Sequence, residues 1–255
     1  MDFAVIGGTG FYDFFAGAGV AEQVTTRYGT VSFERGEVAG RQIVFLPRHG
    51  KDHSVPPHRV NYRANLSALR ELGVRSVLAS AAVGSLHEAM PPGSLALLTQ
   101  FLDFTRGRPG TFYDGDEGGV VHTDMSVPYC PRLREGLLSA AAARKECLLP
   151  AATYVCAEGP RFETPAEIRM YRQLGGDLVG MTGVPEVLLA REAGICYASI
   201  AIVTNWAAGV TLAPIQHGEV TDFMGAQTPR VVALFRDLIA GRRGADATCC
   251  AGAPA

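Results

Sequence analysis

Short apolar runs, each stopped by glycine or a polar turn, alternate along this chain with stretches where apolar residues recur every three or four positions. Phe3-Ala4-Val5-Ile6, Arg41 to Leu46, Ser76 to Val83, Leu95 to Phe104, Thr153 to Cys156, Asp177 to Met181 and Ile195 to Thr204 are of the first kind. Runs of this length predict strands, most of them buried. Asn61 to Leu72 is of the second kind, with Tyr62, Leu66, Leu69 and Leu72 on one stripe and Gly73 as its stop. Further helices are predicted from Pro131, from Thr164-Pro165 to a stop at Gly175, and from Pro185 to Gly194. A last helix is predicted from Gln227-Thr228-Pro229, with Thr228 as its cap and Val231, Val232, Phe235, Leu238 and Ile239 on one face. Arg106 to Cys130, rich in Gly, Asp and Tyr, is the longest loop and reads as a lid or an interface.

Strands alternating with helices predict an α/β fold with a central mixed sheet flanked by helices. The chain has no internal repeat and no linker-like break. It is therefore expected to form a single domain over residues 1–243, with a small-residue tail, 244–255, expected to be disordered. At 255 residues, 47% hydrophobic and 19% charged, the chain is globular. A net charge of -2 gives no electrostatic case for nucleic acid or an anionic membrane. No apolar run is long enough to span a bilayer, and the first residues run straight into a glycine turn without a basic leader. Six cysteines without a CxxC pair fit a reduced state, so a cytoplasmic location is expected.

The candidate chemistry lies where the strands end. Gly7-Gly8-Thr9-Gly10 follows the first strand. Glycines there let backbone N–H groups approach an anion, and Thr9 adds a donor. The dinucleotide fingerprint fails at Asp13 and the Walker lysine is absent, so a plain tight turn and an anion site both stay open. The second strand delivers Arg48-His49, with His53 close behind. Arg offers a fork of donors matched to phosphate, and the alternative is a solvated basic loop. Glu158-Gly159-Pro160-Arg161-Phe162-Glu163-Thr164 puts an aromatic face beside a carboxylate, and Asn205 closes the apolar run Ile200 to Val203. Ring, carboxylate and carboxamide together suit a flat, polar heterocycle. Glu163 as a helix N-terminal carboxylate and Asn205 as a satisfied strand-end residue are the plainer alternatives. No His, Cys and Asp spacing here suggests a metal.

Gly7-Gly8-Thr9-Gly10, Arg48-His49-Gly50, Val60-Asn61-Tyr62, Gly159-Pro160-Arg161-Phe162, Met181-Thr182 and Glu192 to Ala198, in that order, resemble the methylthioadenosine phosphorylase and trimeric purine nucleoside phosphorylase family. The resemblance runs from Ala4 to about Thr204 and is weaker beyond. It implies a phosphorylase fold, a homotrimer, no metal or organic cofactor, and phosphorolysis of a purine nucleoside with inorganic phosphate as co-substrate. Thr9, Arg48, His49, His53, the Ala82 backbone and Thr182 then resemble the phosphate site. Met181 resembles the residue under the ribose and Phe162 the ring on the base, with Ala207 nearby. His122 resembles a residue that reaches a neighbouring subunit's nucleoside.

Two departures set the expected substrate. Methylthioadenosine phosphorylases carry Ser where this chain has Glu163, and Asp where it has Asn205; both changes match the 6-oxopurine branch. A carboxylate can accept from N1–H and an amide can donate to O6, whereas a 6-amino group would face the amide donor. Such a mismatch in a buried site can discriminate about 10⁴-fold. The expected activity is therefore phosphorolysis of inosine and guanosine, with Asn205, Glu163 and His49 as catalytic groups. His217-Gly218-Glu219-Val220 resembles the start of the family's late helix, where a His contacts the 5′-hydroxyl, so His217 tilts the choice toward ordinary nucleosides. The alternatives are a methylthioinosine phosphorylase with the same base preference, with Leu212, Ala213 and Ile215 as an apolar pocket, and a non-catalytic nucleoside-binding protein. A hydrolase would not need Arg48-His49.

Overall fold

A computed structural model describes residues 2–8, 10–11, 14–115, 119–211 and 217–241, without the side chains of residues 217, 219 and 221. Thr9 and the tail 244–255 lie outside the described residues, as do Leu212, Ala213 and Ile215. The strands are β1 (Phe3–Gly7), β2 (Val20–Thr26), β3 (Gly29–Val38), β4 (Arg41–Pro47), β5 (Ser76–Ser85), β6 (Leu95–Phe104), β7 (Leu149–Ala157), β8 (Leu178–Gly180) and β9 (Cys196–Trp206). The helices are α1 (Tyr62–Glu71), α2 (Pro131–Arg144), α3 (Pro165–Gln173), α4 (Gly183–Glu192) and α5 (His217–Gly241).

All nine strands among the described residues join one mixed sheet in the order β2-β3-β4-β1-β5-β8-β7-β6-β9. β9 also pairs with β5 along the whole length of that strand, in parallel, so β5, β8, β7, β6 and β9 close on themselves. β1 lies parallel to both β4 and β5. The strands read as continuous apolar runs because both faces are covered. Ala4, Ile6, Val44 and Leu46 face one core together with α1 and α4 residues such as Leu66 and Val187. Phe3, Val5, Ile43 and Phe45, one residue out of step, face a second core built on α2 and α5 with Leu137 and Phe235. This is the period-2 alternation of a pleated strand.

The hairpin β2–β3 was not foreseen. Its alternation is present, with Val31 and Phe33 buried between Thr30, Ser32 and Glu34, but it covers one face only and makes no apolar run. The last helix was expected from Thr228. It begins a full three turns earlier, at His217, where the family resemblance and not the apolar stripe puts a helix start, and Pro229 lies inside it. Thr228 is no cap, and its buried hydroxyl has no hydrogen-bond partner. Proline costs a helix interior about 3 kcal/mol. Val220 and Met224, both buried, continue the stripe of Val231, Phe235 and Leu238 backward across the proline and offset that cost. α3 starts where expected, with Pro165 at its first position and a reciprocal capping box between Thr164 and Glu167.

Candidate active site

β1, β4, β5 and β9 run parallel, so their carboxyl ends share one edge of the sheet. Ligands in α/β sheets sit outside such ends. A cavity of about 520 Å³ opens there, lined by Gly8, Arg48, His49, His53, Ala82, Gly84, Phe162, Glu163, Met181, Thr182, Asn205, Ala207 and Val220, among others. Its walls thus bring together side chains that are up to some 200 positions apart in the chain. His122 is exposed in the loop between β6 and α2 and is not among the lining residues. The side chain of His217 lies outside the described residues, although its backbone opens α5.

At one end the glycine turn meets Arg48 and His49. Arg48 is buried, and its fork is turned to Glu186: Nε and Nη2 each donate to a carboxylate oxygen at 2.7 Å. Nη1 donates to the Ser80 carbonyl at 2.9 Å. Burial opposes a charge on Arg48, but the Glu186 carboxylate more than offsets this and holds its pKa above the ordinary value. Tyr197 donates to the same carboxylate at 2.6 Å. A Cβ added at Gly8 would sit 3.0 Å from Arg48 Nη1, so the missing side chain opens the guanidinium's flank to the turn. His49 Nδ1 lies 2.8 Å from the Val55 carbonyl. Burial, then the Arg48 charge, lowers the His49 pKa to about 4, which keeps the ring neutral. Thr182 caps α4 without bonding its hydroxyl to that helix.

At the other end, Phe162 keeps 40% of its surface exposed, leaving its ring available. Glu163 beside it is only 8% exposed, and its Oε1 has no hydrogen-bond partner. Burial raises its pKa, against the pull of its own backbone N–H and of Arg161. An unpartnered buried carboxylate oxygen is costly, and such groups recur where a ligand completes them. Asn205 donates from Nδ2 to the Trp206 carbonyl and accepts at Oδ1 from Thr204, each at 2.8 Å. One amide hydrogen and one carbonyl lone pair remain. Met181 lies between the two ends, against Gly159, whose φ of 68° and lack of a Cβ leave room for the thioether.

A family model for the phosphorylase superfamily matches residues 2–240. The chain belongs to this superfamily. It is 50% identical over 237 residues to the 6-oxopurine nucleoside phosphorylase of Pyrococcus furiosus, covering 91% of this chain and 89% of that one. It is 49% identical over 239 residues to a probable S-methyl-5'-thioinosine phosphorylase of Methanopyrus kandleri, with 92% and 90% covered. Among solved structures it is similar to the methylthioadenosine phosphorylase of Schistosoma mansoni in complex with adenine, at 37% identity and a TM-score of 0.90 over 94% of this chain and 91% of that one.

Three groups that shape this phosphorylase's site were not found by sequence reasoning. Glu186 holds Arg48, and its only signal was a lone carboxylate between Val184 and Val187 on an apolar helix. Tyr154 Oη accepts from the backbone N–H groups of Thr182 and Gly183, at 3.1 and 3.2 Å. Arg108 donates to Glu158 Oε2 and to the carbonyls of Glu158, Met181 and Val184, so it pins the segment after β7 to the segment after β8. Arg108 lies in the long loop and gave no sequence signal.

Proposed function

We propose that this phosphorylase cleaves 6-oxopurine nucleosides, inosine and guanosine, with inorganic phosphate, releasing the free base and ribose 1-phosphate. The observation that carries the reading is the buried, unpartnered Glu163 Oε1 on the wall of the cavity that also holds Asn205, Arg48 and His49. A base N–H supplies the missing partner. The names of the Pyrococcus relative and its like support the same substrate class.

In this reading the purine packs on Phe162, Glu163 accepts from N1–H, and the remaining Asn205 amide hydrogen donates to O6. Phosphate lies at the Gly8 turn against Arg48, His49, the Ala82 backbone and Thr182, with His53 beside them. Met181 supports the ribose, with Ala207 at the cavity wall. Holding phosphate against the anomeric carbon converts a bimolecular attack into a positioned one. As the C–N bond loosens, the phosphate stabilises the cationic sugar. The carbonyl lone pair of Asn205 accepts from N7–H as the purine leaves, and preorganised groups at the growing charge lower the barrier. No side chain serves as a covalent nucleophile, and burial pushes the Cys156 thiol up to about 12.

The test is release of base from inosine, guanosine, adenosine and methylthioinosine, with and without phosphate. Inosine cleavage that needs phosphate, with adenosine left intact, is expected. Equal turnover of adenosine, or activity without phosphate, would overturn the reading; binding without turnover would favour a nucleoside-binding protein. A methylthioinosine phosphorylase is the second reading. Val220, from the first turn of α5, lines the cavity with an apolar side chain and would suit a thioether. We further propose a homotrimer in which His122 reaches a neighbouring subunit's site, testable by solution mass and His122→Ala kinetics. A cytoplasmic location accords with the buried Cys156 as a reduced thiol.

A further inference from the structure

The protein backbone fixes which nitrogen of His49 carries the proton. Nδ1 lies 2.8 Å from the Val55 carbonyl oxygen. A carbonyl can only accept, so Nδ1 is the donor. The ring is buried between the Arg48 charge and the His53 ring, whose centroid is 4.5 Å away, and these neighbours resist a second proton. Nε2 therefore presents a lone pair. It lies 3.9 Å from the point where a Cβ on Gly8 would sit, and Arg48 Nη1 lies 3.0 Å from that same point. Arg48 Nε and Nη2 are bonded to Glu186 and one Nη1 hydrogen goes to the Ser80 carbonyl, which leaves Nη1 one further hydrogen beside the turn. The cradle at Gly8 thus combines a guanidinium donor with an imidazole acceptor.

A tetrahedral anion without a proton would bring an oxygen lone pair against the Nε2 lone pair. An anion bearing an O–H satisfies it. We propose, on the basis of the phosphorolysis reading, that His49 Nε2 accepts a hydrogen bond from a P–OH of the bound phosphate, so that the site selects a protonated oxyanion over sulfate. Hydrogen phosphate and hydrogen arsenate meet this demand at neutral pH; sulfate, of similar size, does not. Sites that hydrogen-bond a ligand hydroxyl reject analogues lacking it by 10⁴ or more, and one unmade bond in a site with other anion contacts corresponds to about 100-fold.

The experiment is calorimetric titration of the unsubstituted protein with phosphate, arsenate and sulfate at pH 7.5, without nucleoside. Phosphate and arsenate are expected within about tenfold of each other, with sulfate about 100-fold weaker. His49→Gln, whose amide can turn its NH₂ toward the anion, is expected to bring sulfate within about tenfold of phosphate. Sulfate binding to the unsubstituted protein as tightly as phosphate overturns the proposal and leaves the phosphorolysis reading standing. Failure of phosphate itself to bind overturns both. Should His49→Gln not fold, the ¹⁵N imidazole shifts of the phosphate complex decide. A ring protonated at Nδ1 alone supports the proposal. An imidazolium, which would serve sulfate as well as phosphate, overturns it.

Discussion

Replacing Glu163 by Gln should stabilise the protein while impairing catalysis, and this opposition separates a substrate-binding carboxylate from a structural one. The residue is 8% exposed and its Oε1 has no partner. Leaving a buried polar group unsatisfied costs about 1–3 kcal/mol, more when it is charged. A neutral Gln of the same shape relieves part of this, and about 1 kcal/mol raises the Tm of a chain this size by about 2–4 °C. The pH dependence follows from the raised pKa of Glu163. The folded state holds the proton more tightly than the unfolded state, so the penalty is present above the folded pKa and vanishes as pH falls below the unfolded value. The Tm advantage of Glu163→Gln should therefore shrink as the pH is lowered from 7.5 toward the ordinary glutamate range. Catalysis moves the other way. A hydrogen bond to a charged acceptor contributes about 1.5–3 kcal/mol and one to a neutral acceptor about 0.5–1.5, so kcat/KM for inosine should fall about tenfold. Glu163→Ala should lose about 100-fold. Thermal melts at the two pH values and steady-state phosphorolysis are the assays. A Gln variant that melts earlier than the parent, with activity falling only as the folded fraction falls, would refute the reasoning.

Asn205→Asp should raise the ratio of adenosine to inosine kcat/KM about 10–100-fold, more at lower pH, because a protonated Asp can donate to N7 while its other oxygen accepts from the 6-amino group; competition kinetics with both nucleosides measure it. Glu186→Gln leaves the buried Arg48 charge without its anion and should cost about 3–5 kcal/mol in denaturant unfolding. The double change Arg48→Met/Glu186→Met should regain most of that stability yet show no phosphate-dependent cleavage, and recovery of activity would remove Arg48 from the phosphate site. Arg108→Lys replaces a fork that reaches four acceptors, the Glu158 carboxylate and the Glu158, Met181 and Val184 carbonyls, with three donors on one nitrogen, so it should lower the Tm by several degrees and reduce kcat more than it alters phosphate KM, read from initial rates.

The parts of the site legible in the sequence are those that end strands. Arg48-His49 and Asn205 follow apolar runs, so the pattern that announces a strand also announces where its last residues emerge. Gly159, Phe162 and Glu163 were legible because a helix cap at Thr164-Pro165 bounds them on the other side. The same logic failed where burial is one-sided, as in β2–β3, and where a stripe crosses a proline, as in α5. It also could not assign the partners of charged groups. Arg48 and Glu186 are 138 positions apart, and nothing in either neighbourhood marks the other. The Arg48 fork that looked free for phosphate is largely committed to that carboxylate, which the local sequence cannot reveal.

Glu186, Tyr154 and Arg108 converge on one short junction. Arg108 takes the carbonyls of Met181 and Val184, Tyr154 takes the N–H groups of Thr182 and Gly183, and Glu186, two residues on, takes Arg48. The segment from β8 into α4 thus has its polar backbone tied on both sides of Thr182 by side chains from β7 and the long loop. A segment held in this way cannot shift without leaving buried donors and acceptors unpaired, at about 1–3 kcal/mol each. Met181 and Thr182, which line the cavity, are therefore fixed before any ligand arrives. Preorganisation of this kind reduces the reorganisation that binding and catalysis would otherwise require. Among the described residues, Glu163 Oε1 is the one buried polar atom without a partner that belongs to a residue lining this cavity, so the open demand for a hydrogen bond lies on the cavity wall and not in the junction that braces it.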